Sequence, residues 1–413
     1  MMAYPESANQ RYFCRVERFV LDGGERFATV VDSDGAPAYY PTGLALSGRA
    51  RSVSVETLAA QAADLVHLGQ WAMREGIDLN ARLEAGLYLD PAEIETLAEA
   101  CSLKTSALRR LNAVSEIRRG ASLSRADLVT NSLKARRLTT AIRYFELVGR
   151  MAEARLPKRG AERSRRIEDR AAMVDLIRSY RPAIRSSRVR GIIPAGELAR
   201  VVVFVATGDP RTIWKKEAVA CRNWALVQLL VTAGIRQGEA RQLKATDVDT
   251  AAGELRVERR HDDPEDPRVR EPNAKTYDRI IPFGHDLSED LDHYILGPGS
   301  DAAEKHGSPF LFLSHDNRTH GTPISDQTVG RIVRQLGEHL GISGLTPHHL
   351  RHGWIQNLAD WAISVGLDAA EFERFANNLG GWSYLSKMAV EYRGDHLAQA
   401  AFKAGLRVQE ERS

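Results

Sequence analysis

From Ser54 to about Ala154 the chain reads as a succession of helical segments, and nothing else in it constrains the fold as strongly. Ser54-Val55-Glu56-Thr57 opens a helix expected to reach Glu75. Asp90 before Pro91, with Glu93 three positions on, is a capped start. Ser122 to Asp127 begins a further segment, and Ser132 to Arg155 forms a long basic helix. A domain of four or five helices follows from this spacing. Ahead of it, Tyr12 to Val16 and Arg26 to Val31 are β-branched and aromatic runs punctuated by Asp22-Gly23-Gly24 and Asp32-Ser33-Asp34-Gly35. Together they predict a small β-meander ending near Pro41. After it, Leu156-Pro157-Lys158-Arg159-Gly160 reads as a linker, followed by a basic helix from Ala161 to about Ser179.

At 413 residues the chain is long enough for two or three domains. The expected division is a β-rich module over 1–50, a helical domain over 51–180, a crossing region over 181–210 and a second domain over 211–413. In that second domain Ala218 to Thr232 is a helix that Gly234 stops, and Gln237 to Leu243 restarts helix. Glu254 to Glu258 and Arg279 to Pro282 alternate as strands joined by a long charged loop, and Leu311 to Leu313 is a further short strand. The fold class is therefore mainly α with small antiparallel sheets (α+β).

Net charge over the whole chain is only +3 and says little about partners, whereas its distribution says more. Between Lys134 and Arg190 stand 17 Lys and Arg against 6 Asp and Glu. Such a stretch suits a polyanion, and Arg136, Arg137, Arg143, Lys158, Arg159, Arg165 and Arg166 are its candidate DNA-binding residues. The alternative is a solvated, salt-bridged helix face. Cys14, Cys101 and Cys221 are widely spaced, form no metal or redox motif, imply no disulfide framework and fit a reducing compartment. Met1 to Phe19 does not have the pattern of a secretory signal, and the apolar runs Val201 to Ala206 and Trp224 to Ile235 are too short or interrupted to span a bilayer. The expectation is a cytoplasmic, nucleoid-associated protein with no membrane partner.

The chemistry gathers at Thr346-Pro347-His348-His349-Leu350-Arg351-His352. Thr346 suits an N-cap and Pro347 the first helical position, so His348, Arg351 and His352 fall on one helix face. Imidazole and guanidinium beside a helix N-terminus favour an anion, and a phosphate above a carbonyl or sugar hydroxyl. Zinc is the competing reading of histidines at i and i+4. However, His349 stands where a zincin has glutamate, and no third ligand is evident. Upstream, Arg236 follows the glycine stop and precedes Glu239, which can brace it. Cleaving a phosphodiester without a metal needs such fixed positive charge together with proton donors and a nucleophile.

In their order, Arg236, Lys275, His348-x-x-Arg351, Trp382 and Tyr392, these residues resemble the tyrosine recombinases, the phage-integrase family, over roughly Val205 to Ala401. Gly-x-Arg-x-x-Glu at 234–239, with Leu243 and Asp247 after it, is similar to the family's first arginine motif. Asn273 to Pro282 is similar to its β-hairpin lysine motif. The resemblance implies that Tyr392 attacks a DNA phosphodiester to give a 3′-phosphotyrosyl link while Lys275 protonates the leaving 5′ oxygen. His348 would assist proton transfer, Arg236 and Arg351 would hold the phosphate, and Trp382 would donate a hydrogen bond to it. Glu239 and His352 would brace the site. The helical domain would be a core-binding domain that clamps the opposite face of double-stranded DNA. Neither ATP nor a metal would be required. Recombination would need a homo-tetramer on synapsed DNA, or companion recombinases, with the segment Leu397 to Leu406 docking on a neighbour. Trp382 stands one residue further from the tyrosine than the family pattern, in Leu379-Gly380-Gly381-Trp382-Ser383, and Tyr384 is the rival nucleophile. A type IB topoisomerase shares this active-site pattern, and a DNA-binding protein that no longer cuts is the remaining alternative.

Overall fold

The computed structural model describes residues 13–47, 53–115, 123–184, 193–272 and 277–383. It divides into two compact units, Met1–Ser187 and Arg188–Ser413. In the first unit, β1 (Arg15–Val20) and β2 (Arg26–Val31) form an antiparallel hairpin with Phe19 opposite Phe27. The helices of this unit are α1 (Tyr39–Leu46), α2 (Val55–Glu75), α3 (Leu79–Ala85), α4 (Pro91–Ala100), α5 (Thr105–Ser115), α6 (Asn131–Ala154) and α7 (Ala161–Ser179).

The starts expected at Ser54 and Asp90 are built as the sequence reads, whereas Ser124 opens only a 3-10 turn, Arg125–Asp127, and Thr130 caps the long helix. Ser54 Oγ accepts the Thr57 amide at 3.4 Å. Asp90 and Glu93 exchange side-chain and backbone hydrogen bonds at 2.9 and 3.0 Å, and Pro91 opens the helix behind them. Along α6, Leu138, Ala141, Tyr144, Phe145 and Val148 are buried at helical spacing.

The organisation of the first unit differs from expectation at the hairpin. The β-hairpin is not a module of its own, because every residue of β2 is buried and Phe13 and Val30 join the core formed by Trp71, Leu97 and Phe145. A two-stranded hairpin is marginal alone and gains stability by lying on a helix. Gly69 of α2 admits it, since a Cβ there would sit 2.4 Å from Phe13 Cβ. The Pro157 turn joins α6 to α7, and Arg170 of α7 binds buried Glu153 of α6 through both carboxylate oxygens at 2.6 and 3.0 Å.

The second unit opens with α8 (Ala195–Thr207), inside the stretch read as a crossing region, and Leu198, Val201 and Val205 enter its core. At its centre lies α9 (Glu217–Thr232), buried continuously from Arg222 to Val231. A helix apolar on every side is a central one. Around it come α10 (Gln237–Gln242) and a three-stranded antiparallel sheet of β3 (Val248–Asp249), β4 (Glu254–Val257) and β5 (Arg279–Pro282). The remaining helices are α11 (His285–Tyr294), α12 (Ser300–Glu304), α13 (Asp326–His339), α14 (Pro347–Ser364) and α15 (Ala369–Gly380). Leu311, Phe312 and Leu313 are buried, as a strand would be, but only isolated bridges flank them, Phe310 to Lys244 and Leu313 to Pro323. No helix among the described residues is long and apolar enough to cross a membrane.

Candidate phosphate-binding site

The site starts at the turn between α9 and α10. Gly234 takes φ 58°, and a Cβ on it would stand 2.1 Å from Trp354 Cδ2 of α14. Both conditions require glycine. The turn delivers Arg236 to the N-cap of α10, where its own amide donates to Glu239 Oε2 at 2.9 Å and its Nη1 reaches Oε1 at 3.4 Å. The brace anticipated between Arg236 and Glu239 is thus formed.

Glu239 is 1% exposed and holds a second arginine as well. Arg279 Nη2 and Nη1 donate to its two oxygens at 2.8 and 3.3 Å, and Arg279 Nε donates to Leu379 O at 2.8 Å. Sequence reasoning missed Arg279, reading it only as part of a strand. A signal was available: in β5 it shares the inward face with Ile281, a position where a charge has to find a partner.

On α14, Pro347 occupies the first turn and His349 Nδ1 accepts the Thr346 amide at 3.2 Å. Arg351 is 4% exposed. Its Nη1 donates to Gly234 O and its Nη2 donates to Gly380 O at 2.8 Å. Gly380 O also accepts from Arg236 Nη1 at 3.4 Å. One carbonyl at the end of α15 therefore holds two guanidiniums side by side. Trp382 lies against both, its ring centre 4.8 Å from Arg351 Cζ and 5.9 Å from Arg236 Cζ. Its indole also packs with Ile355, Phe372 and Ala376. It is at once a core tryptophan and a wall of the arginine site.

His348 and His352 meet edge to face, with Nε2 to Nε2 at 2.7 Å. At that separation one ring donates a proton and the other accepts it. Burial, then His348, His349 and Arg351, pulls His352 down to about 4. Burial, then His349, Arg351 and Arg236, lowers His348 as well. Both imidazoles are therefore neutral near pH 7, able to give or take one proton.

Lys275, Tyr392, the rival Tyr384 and the segment Leu397 to Leu406 lie outside the described residues. The nearest described neighbour of Lys275 on its C-terminal side is Tyr277, whose amide donates to Gly381 O at 3.1 Å, next to Trp382.

The DNA-facing expectation in the first unit needs correction at Arg137. It is 7% exposed, donating to Leu103 O, to Cys101 O at 3.2 Å and to Thr105 Oγ1 at 3.2 Å. A guanidinium so enclosed cannot reach a phosphate; it ties α6 to the turn after α4. Arg136 spends its fork on Asp64 at 2.9 Å twice. Arg166 binds Glu162 at 2.7 Å and Glu84 O at 2.9 Å. Arg165 is exposed and pairs with Glu162 at 2.9 Å. Arg143, Lys158 and Arg159 are exposed.

The site thus joins two guanidiniums on one carbonyl with a pair of imidazoles on the helix that carries Arg351. Residues 211–393 match the model of the phage integrase family, and the chain contains a domain of that family. Among similar proteins, tyrosine recombinase XerD of Mycobacterium leprae (strain TN) is 27% identical over 197 residues, covering 46% of this chain and 55% of that protein. A putative integrase/recombinase y4rF of Sinorhizobium fredii (strain NBRC 101917 / NGR234) is 32% identical over 166 residues, covering 38% of this chain and 35% of that protein. The match thus spans about half of the XerD relative and about a third of the second. A crystal structure of XerH site-specific recombinase is similar at 13% identity with a TM-score of 0.49, covering 86% of this chain and 81% of that one.

Proposed function

We propose that the chain is a site-specific DNA recombinase, or integrase, that breaks and rejoins DNA through a 3′-phosphotyrosyl intermediate, in the service of a mobile element. The observation that carries this reading is the shared Gly380 carbonyl, which keeps Arg236 and Arg351 together. Two like charges at such range repel, and an anion between them removes the repulsion. A tetrahedral phosphate offers separate oxygens to both forks. Arg351 is fixed by main-chain acceptors, while Arg236, its side chain 28% exposed, meets a ligand from the solvent side. Arginine keeps its charge throughout, so the developing negative charge on the phosphoryl oxygens meets fixed positive charge without reorganisation.

In this reading Tyr392 is the nucleophile and Lys275 the acid for the leaving 5′ oxygen. Neutral His348, paired with His352, relays the proton from the phenol or to the leaving group. The bond to tyrosine stores the energy of the broken phosphodiester, so rejoining needs neither ATP nor a metal. Arg143, Lys158, Arg159 and Arg165 supply non-specific attraction to the duplex backbone. A homo-tetramer on two duplexes, or companion recombinases, completes strand exchange.

Covalent trapping on a nicked suicide DNA from the ends of the surrounding element tests this. A denaturant-stable adduct is expected with the wild type and is expected to vanish in Tyr392→Phe. An adduct that survives that substitution moves the nucleophile to another tyrosine, Tyr384 first. Tight DNA binding without any adduct identifies a non-cutting DNA-binding protein. Relaxation of supercoiled DNA without strand exchange identifies a topoisomerase.

A further inference from the structure

A second cluster of chemically capable side chains lies at the opposite end of α9 from Arg236. Glu217 stands in the first turn of α9 and Cys221 one turn on, so both face the same side. His293, in the last turn of α11, completes the group, and one ligand atom from each residue lies within 4.8 Å of the others. We infer that Glu217, Cys221 and His293 form a zinc site that staples the start of α9 to the end of α11.

The geometry and the donor set favour this ion. Cys221 Sγ lies 3.7 Å from Glu217 Oε1. Two ligands on a tetrahedral zinc, with Zn–S near 2.3 Å and Zn–O near 2.0 Å, are separated by about 3.5 Å. Thiolate, imidazole and carboxylate form a borderline-soft set that zinc accepts and that magnesium or calcium does not. Two ligands at i and i+4 on one helix and a third from a packed neighbour need little chain rearrangement. Water would fill the fourth position. Asp290, one turn before His293, hydrogen-bonds Gln228 and adds negative charge beside the cluster.

A redox or nucleophilic thiol explains the cluster less well. The thiol stands beside the Glu217 carboxylate, an anion, where a reactive cysteine is set beside a cation. A dication reverses that balance and displaces the thiol proton. The ion would also be structural and not part of the phosphate chemistry: Cys221 precedes Thr232 by 11 residues, about 16 Å along the helix at ~1.5 Å per residue. Its effect would be to hold the helix that presents the Gly234 turn. Arg211 competes for the same carboxylate, with Nη2 and Nε 2.8 and 3.0 Å from the Glu217 oxygens.

Cobalt(II) added to the chelator-treated full chain tests the site. The wild type is expected to show a thiolate-to-cobalt charge-transfer band together with tetrahedral d–d bands, displaced by zinc. Both should be lost in Cys221→Ser, and the tetrahedral spectrum should be lost in His293→Ala. Zinc should raise the thermal midpoint of the wild type and of neither variant. Arg211→Gln should tighten cobalt binding by up to about fivefold, the worth of an exposed ion pair. Absence of the band in wild type overturns the inference, as does a band that persists in Cys221→Ser. Weaker binding in Arg211→Gln removes Glu217 from the ligand set and with it the three-ligand site.

Discussion

The two units each bury an arginine beside histidine, and the surroundings differ instructively. In the first, Arg137 donates to the carbonyls of Cys101 and Leu103 while His67, 1% exposed, bonds Ala100 O at 2.8 Å and Thr105 Oγ1 at 3.0 Å. In the second, Arg351 donates to the carbonyls of Gly234 and Gly380 beside His352. Burial depresses both histidines to about 4. A buried, carbonyl-bound arginine is therefore no evidence of a site. What separates the two clusters is a second, partly exposed guanidinium. Arg236 converges on the acceptor that Arg351 uses, whereas Arg136, the neighbour of Arg137, is neutralised by Asp64.

The sharpest way to break this comparison is to remove each buried arginine in turn. Arg351→Ala should slow adduct formation on suicide DNA by about 10³-fold per folded molecule, as loss of a transition-state donor does. Arg137→Met should leave that rate unchanged, yet cost about 3 kcal/mol in denaturant unfolding for the carbonyls it strands. Equal losses of activity would mean that the two clusters are not different in kind.

Glu239→Gln comes next, since it leaves Arg236 and Arg279 sharing a buried neutral amide. A stability loss of about 3 kcal/mol is expected from breaking that buried pairing, accompanied by slower cleavage. An active variant of unchanged stability would show that Arg236 needs no brace.

The histidines sharpen the comparison through pH. His67 and His352 titrate near about 4 when folded, against roughly 6.5 when unfolded. Between those values the unfolded chain binds more protons. Their contribution to stability is thus present above about pH 6.5 and is lost as pH falls through the folded value of about 4. His67→Gln should flatten the acid side of the stability profile. In NMR titrations, addition of a DNA half-site should raise the His352 midpoint, because a phosphate favours the imidazolium, while His67 stays in place. A shift at both would break the distinction.

The smallest effect concerns the outer surface. Lys158→Ala and Arg159→Ala should each reduce the salt dependence of DNA binding by about one unit of slope, and Arg137→Met should not. Filter binding across a salt series distinguishes these outcomes.

Much of the fold was legible because its signals are local. Asp90-Pro91 and Thr346-Pro347 mark helix starts within four residues, and helical spacing alone puts His348, Arg351 and His352 on one face. The pairing of Arg236 with Glu239 is likewise an i to i+3 relation. The hairpin was legible as strands but not as part of the helical core, because Phe13 meets Gly69 and β2 is covered only through contacts distant in sequence.

By itself, then, the sequence determined where the helices begin, which chemical groups share a face, and their order along the chain. Those properties depend on caps and on a 3.6-residue period, both set within one or two turns. Only the tertiary structure decided that Arg137 is interior, that Arg279 is the second hold on Glu239, and that Gly380 O draws Arg351 and Arg236 together. A side chain's type fixes what it can bind. Whether it meets solvent, a carboxylate or a carbonyl is settled by which distant segment packs over it, and periodicity carries no information about that.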